Sequence, residues 1–131
     1  MKISATVRNS ESAHDVAVRT DASERALTVP AKTQGRGSAV NGGEFLMLAL
    51  ATCYCNDLYR EATRLGVRIE VVEVAASAEF AGVGLAASNI VYTAKVTSPD
   101  GEEAIARLLR ETDAVAEIHN TLRAGVPVIL L

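Results

Sequence analysis

Alternating apolar and polar positions at the start of the chain predict a small antiparallel sheet. Residues 2–8 and 14–20 each place every second side chain on an apolar face, as strands with one buried face do. The turn-forming residues 9–12 between them favour a hairpin. Residues 27–29 predict a short third strand, after which the polar, glycine-rich residues 31–43 form a loop.

A long helix is predicted to follow this loop. Asn41 and Glu44 have the spacing of a capping box, in which each side chain accepts a hydrogen bond from the backbone N–H of the other residue. A long apolar stretch comes next, and Gly66 supplies the left-handed residue that commonly ends a helix. We therefore predict a helix from Gly42 to Leu65.

Two further strands are predicted after the long helix. Residues 67–80 and 85–97 are rich in β-branched side chains, and residues 81–84 between them favour a hairpin. The change of alternation at Val71 and Val72 predicts a bulge at that point.

The last third of the chain predicts a second helix and a closing strand. Apolar residues recur at helical spacing over residues 102–121, and Asp100 with Glu103 offers another capping box. The apolar residues 126–131 predict a strand. The order βββ-α-ββ-α-β indicates one α+β domain over residues 1–131, with an antiparallel sheet around the long central helix.

Composition and charge narrow the functional class. The chain has 131 residues and a formal net charge of −3, so it lacks the basic excess typical of nucleic-acid-binding proteins. Its longest uncharged apolar run, residues 45–55, is well short of the ~20 residues that cross a membrane. The first residues lack the apolar core of a signal peptide, so we expect a cytoplasmic protein without a membrane partner.

The two cysteines on the long helix are the candidate reactive residues of the chain. On a helical wheel, Cys55 falls within a continuous apolar stripe that also holds Leu48 and Leu58. Cys53 lies about 160° away, where an apolar wall meets a charged one that carries Arg60. We therefore expect Cys55 to be buried and unreactive, and Cys53 to be a reactive thiol whose thiolate is favoured by a nearby cation.

The helix geometry also argues against joining the two thiols. Residues two apart on a helix point away from each other, so we expect neither a disulfide nor a two-cysteine metal site. His14 on the second strand is most simply a half-buried residue beside a turn. His119 on the apolar face of the second helix is most simply a core histidine with its hydrogen bonds satisfied. Alternatively, His119 could act as a base for Cys53 in a hydrolase or transferase.

The helix sequence also carries a family resemblance. The stretch from Gly43 to Cys53, GEFLMLALATC, resembles the P-x-E-L-L-L-A-A-L-A-x-C helix of the OsmC/Ohr family, the osmotically inducible and organic hydroperoxide resistance proteins. The element order and the chain length are also similar, so the resemblance covers essentially the whole chain. It implies an intertwined homodimer with two long helices at its centre and active sites at the subunit interface. A second copy would also complete a core in which aromatic residues are only 4% of the chain.

The resemblance implies roles for particular residues. Peroxidase-type members of the family reduce organic hydroperoxides, and by this resemblance Cys53 is the peroxidatic thiol that attacks the O–O bond and becomes a sulfenic acid. Glu44 matches the family's helix glutamate, which holds an arginine from the N-terminal region beside the thiolate. Arg8 is the first match for that arginine and Arg36 the second. Such a reaction needs no cofactor or metal, only a hydroperoxide and a thiol reductant.

The second helix departs from the family pattern. Peroxidase members carry a resolving cysteine there, whereas residues 115–122 read VAEIHNTL. Three hypotheses therefore stand. The first is a thiol-dependent peroxidase in which an external thiol resolves Cys53. The second is a catalytically silent protein that binds a small apolar or electrophilic ligand at the dimer interface. The third is the hydrolase or transferase that pairs Cys53 with His119.

Overall fold

A computed structural model describes residues 1–131 and confirms an α+β fold with antiparallel sheets. In chain order the elements are β1 (Ile3–Asn9), β2 (His14–Thr20), β3 (Ser23–Leu27), α1 (Gly42–Leu65), β4 (Val71–Glu79), β5 (Ser88–Thr97), α2 (Glu102–Val115) and α3 (Glu117–Ala124). None of the helices combines the length and the apolarity that a membrane span requires. The chain divides into two compact units, Met1–Phe45 and Leu46–Leu131.

The first unit is built on a three-stranded antiparallel sheet in the order β1-β2-β3. Val7 of β1 pairs with Val16 of β2, and Val16 is buried. β3 begins at Ser23, earlier than the predicted residues 27–29, because only two residues form the turn after β2. One of them, Asp21, has a φ of 50°, a left-handed conformation that aspartate tolerates in tight turns.

The helix α1 has the bounds that the sequence predicts. The backbone N–H of Asn41 donates to Oε2 of Glu44 over 2.8 Å, and the backbone N–H of Glu44 donates to Oδ1 of Asn41 over 2.9 Å. Gly66 follows with a φ of 69°, so the capping box and the glycine stop are both confirmed.

The core of the second unit joins α1 to the hairpin of β4 and β5 and to α2. Its fully buried members come from both helices and from the residue between α2 and α3: Tyr54, Leu58, Ala62, Leu108 and Ala116. The strand β4 alternates exposed and half-buried residues, and its half-buried face packs against this core. The hairpin therefore has one face inside and one face outside.

The bulge in this hairpin is not where the sequence predicts it. The register shifts between Ser77 and Glu79, and the pairing at Val71 and Val72 is regular. Val71 is 58% exposed whereas Val72 packs on the core, so the two valines lie on opposite faces of an ordinary strand.

The predicted second helix over residues 102–121 is two helices. Ala116 interrupts it with an extended ψ of 103°, and its side chain is fully buried. The predicted capping box of Asp100 with Glu103 is absent, because the carboxylate of Asp100 instead accepts a hydrogen bond of 2.7 Å from the backbone N–H of Arg68.

The predicted closing strand is also absent. Residues 126–131 have no regular structure, and Val128 is completely exposed. Although the run is apolar, a strand needs a partner edge, and these residues pair with no strand of the chain.

Candidate functional site

Cys53 lies where α1 passes the beginning of α3. The residue is half-buried, and the backbone N–H of Ile118 acts to lower the pKa of its thiol. Ile118 is the second residue of α3, whose first backbone N–H groups have no partner within the helix. A backbone N–H with no partner in its own helix favours the thiolate of Cys53 over the thiol.

Two carboxylates also face the sulfur. Sγ of Cys53 donates to Oδ2 of Asp57 over 3.5 Å and lies 3.9 Å from Oε2 of Glu117. Asp57 is one turn further along α1 and only 5% exposed, whereas Glu117 is the exposed first residue of α3. The thiol is therefore set among acidic groups.

These surroundings raise the pKa of the Cys53 thiol. Burial contributes most, and the negative charges of Asp57 and Glu117 add to it, whereas the N–H of Ile118 acts in the opposite direction. The charged groups that act directly on the sulfur are thus carboxylates, and the expected direct contact with a cation is not found in this unit.

A cation does bind the two carboxylates. Nη1 of Arg60 lies 2.8 Å from Oδ1 of Asp57 and 3.5 Å from Oε1 of Glu117. The pKa of Asp57 is nevertheless raised, because burial of this carboxyl outweighs the attraction of Arg60. Arg60, which the helical wheel placed on the face of Cys53, therefore acts on the thiol through its acidic neighbours.

Three other predicted site residues have partners within the first unit. Glu44 caps α1 through the backbone N–H of Asn41. Arg8 lies 4.0 Å from the carboxylate of Asp15, and Nε of Arg36 donates to Asn9 over 3.1 Å. Their predicted roles beside the thiolate of Cys53 stay predictions.

Cys55 is half-buried, so the expectation of a fully buried thiol is wrong for this chain. Leu48, assigned to the same stripe, is 57% exposed. The buried face of α1 is rotated from the apolar stripe and includes two acids: Leu50, Tyr54, Asp57, Leu58, Glu61 and Ala62. Both acids lie on the charged side of the wheel next to Cys53, and arginines of the same helix pair with them and permit their burial.

His119 is buried, but its hydrogen bonds are not satisfied as expected. The residue is 4% exposed, and neither Nδ1 nor Nε2 has a partner. Burial lowers the pKa of its imidazole, and the charge of Arg123 lowers it further. The hydrogen bonds of Cys53 go to Asp57 and Glu117 and none joins it to His119, so the role of His119 as its base stays a hypothesis.

A cavity of about 200 Å³ opens beside His119 within the second unit. Most of its wall is apolar, and its polar groups come from three side chains. The lining residues are Leu50, Ile90, Tyr92, His119, Leu122 and Arg123.

The acidic cluster has the composition of a possible metal site. The ligand atoms of Cys53, Asp57 and Glu117 all lie within 4.8 Å of one another. Both carboxylates already pair with Arg60, however, so their charge is compensated without an ion. We therefore assign no metal to them.

Asp57 and Glu117 are the site residues that sequence reasoning missed. Asp57 was recoverable, since it lies four residues after Cys53 on one helix and such residues are neighbours. Glu117 is 64 positions away, and only the packing of α3 beside α1 brings it to the sulfur.

Comparisons with known proteins agree with this architecture. The model of the family described as OsmC-like protein matches residues 35–130. An OsmC-like protein from Mycoplasma pneumoniae has 20% identity and a TM-score of 0.63, with 93% of this chain and 86% of that chain covered. An organic hydroperoxide resistance protein OsmC from Legionella pneumophila has 19% identity and a TM-score of 0.61, with 98% and 93% covered. The comparison with curated proteins found no match.

Proposed function

This chain belongs to the OsmC-like protein family, and from that premise we propose that it reduces organic hydroperoxides with the thiol of Cys53 and an external thiol reductant. The resemblance of the solved structures concerns the fold, and one of them is described as an organic hydroperoxide resistance protein. We place the activity in oxidative stress defence in the cytoplasm, where thiol reductants are abundant.

The observation that supports this proposal is the polar setting of one sulfur. Cys53 is half-exposed and lies among the N–H of Ile118 and the carboxylates of Asp57 and Glu117. Cys55, two residues away on the same helix, makes no hydrogen bond. Because Cys53 is partly exposed and the backbone N–H of Ile118 favours its thiolate, Cys53 is the better candidate nucleophile of the two.

The reaction has two stages. The thiolate of Cys53 attacks the terminal oxygen of ROOH, the O–O bond breaks, and RO⁻ leaves and takes a proton to give an alcohol. A first external thiol then attacks the sulfenic acid and releases water, which forms a mixed disulfide. A second thiol displaces Cys53 as a thiolate. The net reaction converts ROOH and two thiols to ROH, water and one disulfide.

Three further assignments rest on the family resemblance. Glu44 and an arginine, Arg8 before Arg36, are proposed to hold positive charge beside the thiolate of Cys53. We also propose a homodimer with the active sites at the subunit interface. An arginine at that position would offset the carboxylates that raise the pKa of the thiol.

The test is turnover of cumene hydroperoxide by purified protein with dithiothreitol as the reductant. We expect the wild-type protein to consume peroxide faster than the reductant alone, and Cys53→Ser to abolish that excess. Cys55→Ser is the matched control and should retain the activity. Loss of turnover with Cys55→Ser, or activity retained by Cys53→Ser, would contradict the assignment.

A catalytically silent, ligand-binding protein is the second candidate. It is favoured by the raised pKa of Cys53, since a protonated thiol is a poor nucleophile, and by the apolar cavity beside His119. Peroxide that remains unconsumed in the turnover assay, with the protein folded, would select this candidate.

A further inference from the structure

Asp57 and Cys53 form a hydrogen-bonded pair one turn apart on α1. Sγ of Cys53 donates to Oδ2 of Asp57 over 3.5 Å, and residues four apart on a helix are neighbours, so the helix itself brings the two side chains together. A carboxylate in this place opposes the formation of the thiolate, so Asp57 does not activate the thiol by its charge. What it offers the sulfur instead is an acceptor for the proton of the thiol.

Arg60 determines which oxygen of Asp57 is free for that proton. Nη1 of Arg60 lies 2.8 Å from Oδ1 of Asp57, whereas the hydrogen bond of the thiol goes to Oδ2. Nε of Arg60 donates to Oε1 of Glu61 over 3.3 Å, so the guanidinium is itself held in place. One oxygen of Asp57 is therefore engaged by a cation, and the other faces the sulfur.

Asp57 differs in its burial from Glu117, the other acid near the sulfur. Asp57 is only 5% exposed, whereas Glu117 is exposed and its Oε2 lies 3.9 Å from the sulfur. Burial raises the pKa of Asp57, so its carboxyl holds a proton more readily than a surface carboxyl does at the same pH. Asp57 is thus the better placed of the two acids to take a proton and to give it up again.

We propose that Asp57 is a catalytic residue that relays a proton during the reaction of Cys53. Its Oδ2 accepts the proton of the thiol as the sulfur attacks the terminal oxygen of ROOH, and the same carboxyl then gives this proton to the leaving alkoxide. The assignment rests on the proposed function, and it names the residue that moves the proton in that reaction.

The relay needs no further reactant. The thiol of Cys53 and the carboxylate of Asp57 first become a thiolate and a carboxylic acid. The thiolate forms a bond to the terminal oxygen of ROOH while the O–O bond breaks, which leaves the sulfenic acid and RO⁻. The carboxylic acid protonates RO⁻ to the alcohol, and Asp57 is a carboxylate again. The sulfur is oxidised, and the peroxide is reduced.

Reagents with different leaving groups separate this role from an effect on the thiol alone. An alkoxide is a strongly basic leaving group, so a proton donor assists its departure. The acetate that leaves peracetic acid and the iodide that leaves iodoacetamide are weakly basic and depart without a proton. An effect of Asp57 on folding or on thiol ionisation alters all three reactions together, whereas loss of a proton donor slows only the reaction with an alkyl hydroperoxide.

The experiment measures how fast cumene hydroperoxide, peracetic acid and iodoacetamide each consume the thiol of Cys53 in a Cys55→Ser background. Asp57→Asn keeps the shape of the side chain and removes its acid. We expect faster reactions with peracetic acid and iodoacetamide, because the loss of a negative charge favours the thiolate. Relative to these two, the rate with cumene hydroperoxide should fall about 100-fold, the lower end of the usual effect of a general acid.

Two other acids provide the controls. Glu103→Gln removes an exposed acid of α2 away from this cluster and should leave all three rates unchanged. Glu117→Gln should raise the three rates together, because the charge of Glu117 raises the pKa of the thiol. A selective loss of the cumene hydroperoxide reaction in Glu117→Gln, and not in Asp57→Asn, would assign the relay to Glu117 and overturn the proposal.

If Asp57→Asn fails to fold, the protein with Asp57 in place still decides the question. Its oxidation in heavy water should be slowed more with cumene hydroperoxide than with peracetic acid, since only the first reaction moves a proton to the leaving oxygen. Equal slowing by heavy water with the two peroxides would overturn the proposal.

Failure of the relay is separable from failure of the proposed function. Rates that change in the same ratio with all three reagents in Asp57→Asn, while cumene hydroperoxide still oxidises Cys53, would reject only the relay. Cumene hydroperoxide that reacts with Cys53 no faster than with free cysteine, while iodoacetamide still alkylates it, would reject the proposed function and the relay with it.

Discussion

At the scale of single residues, opposing influences act on the sulfur of Cys53. Burial and the charges of Asp57 and Glu117 raise the pKa of the thiol, and the backbone N–H of Ile118 lowers it. Arg60 binds the two acids and weakens their effect. The reactivity of Cys53 is therefore set by the balance of this cluster as much as by its exposure.

Replacing Asp57 tests that balance. Asp57→Asn removes one negative charge beside the sulfur, so the thiolate becomes easier to form and the pKa of Cys53 falls. We expect the pH profile of iodoacetamide alkylation to move to lower pH, with faster alkylation at pH 7–8. The measurement is made in a Cys55→Ser background so that only Cys53 reacts.

Glu103→Gln is the control, since it removes an exposed acid of α2 away from this cluster. Its alkylation profile should coincide with that of the parent protein. A profile of Asp57→Asn that stays in place or moves to higher pH would contradict the role assigned to Asp57.

Sequence periodicity alone could not orient α1. Charged residues on a wheel are placed in solvent, but Asp57 and Glu61 are buried because Arg60 and Arg64 pair with them. The apolar stripe through Leu48 was consequently assigned to the core of the chain, where Leu48 does not lie. The ion pairs of Asp57 and Glu61 depend on side-chain conformations, which a helical wheel does not represent.

At the scale of elements, the bounds of α1 were predictable from the sequence because contacts between residues close in the chain determine them. The bounds of α1 follow from Asn41, Glu44 and Gly66, which act within a few residues of the helix ends. The interruption at Ala116 has no such signal, since neither glycine nor proline occurs there and the residue is fixed by burial in the core. The prediction of a closing strand over residues 126–131 is wrong because a strand depends on pairing with residues distant in the sequence.

The capping box makes a direct prediction for stability. Asn41→Ala leaves a backbone N–H at the start of α1 without its acceptor, and we expect a loss of about 0.5–2 kcal/mol in the free energy of unfolding. Urea denaturation measures it. Asn56→Ala is the matched control, because Asn56 is exposed in the middle of α1 and alanine favours helix there. Equal effects of the two changes would show that the cap contributes nothing.

At the scale of the whole molecule, many aliphatic side chains lie on the surface of the single chain. Ile3, Val7, Leu48 and Val91 are each more than half exposed. Aliphatic side chains that stay exposed in one chain are available to be covered by another chain. This observation supports the proposed homodimer, in which a second copy completes the core.

Light scattering with size-exclusion chromatography tests the homodimer. We expect a mass about twice the 13.8 kDa of the chain. Leu48→Asp should lower that mass toward a single chain, because it puts a charge on the proposed interface. Ala106→Asp, at an exposed position of α2, is the control for an added charge on a helix and should leave the mass unchanged. A mass of one chain for the wild-type protein would contradict the homodimer.

The most direct test of the redox assignment is mass spectrometry after one equivalent of cumene hydroperoxide, with no thiol added. We expect one added oxygen atom, located on Cys53 and trapped by a reagent for sulfenic acids, with Cys55 unmodified. An unmodified protein, or oxygen distributed equally over the two cysteines, would contradict it.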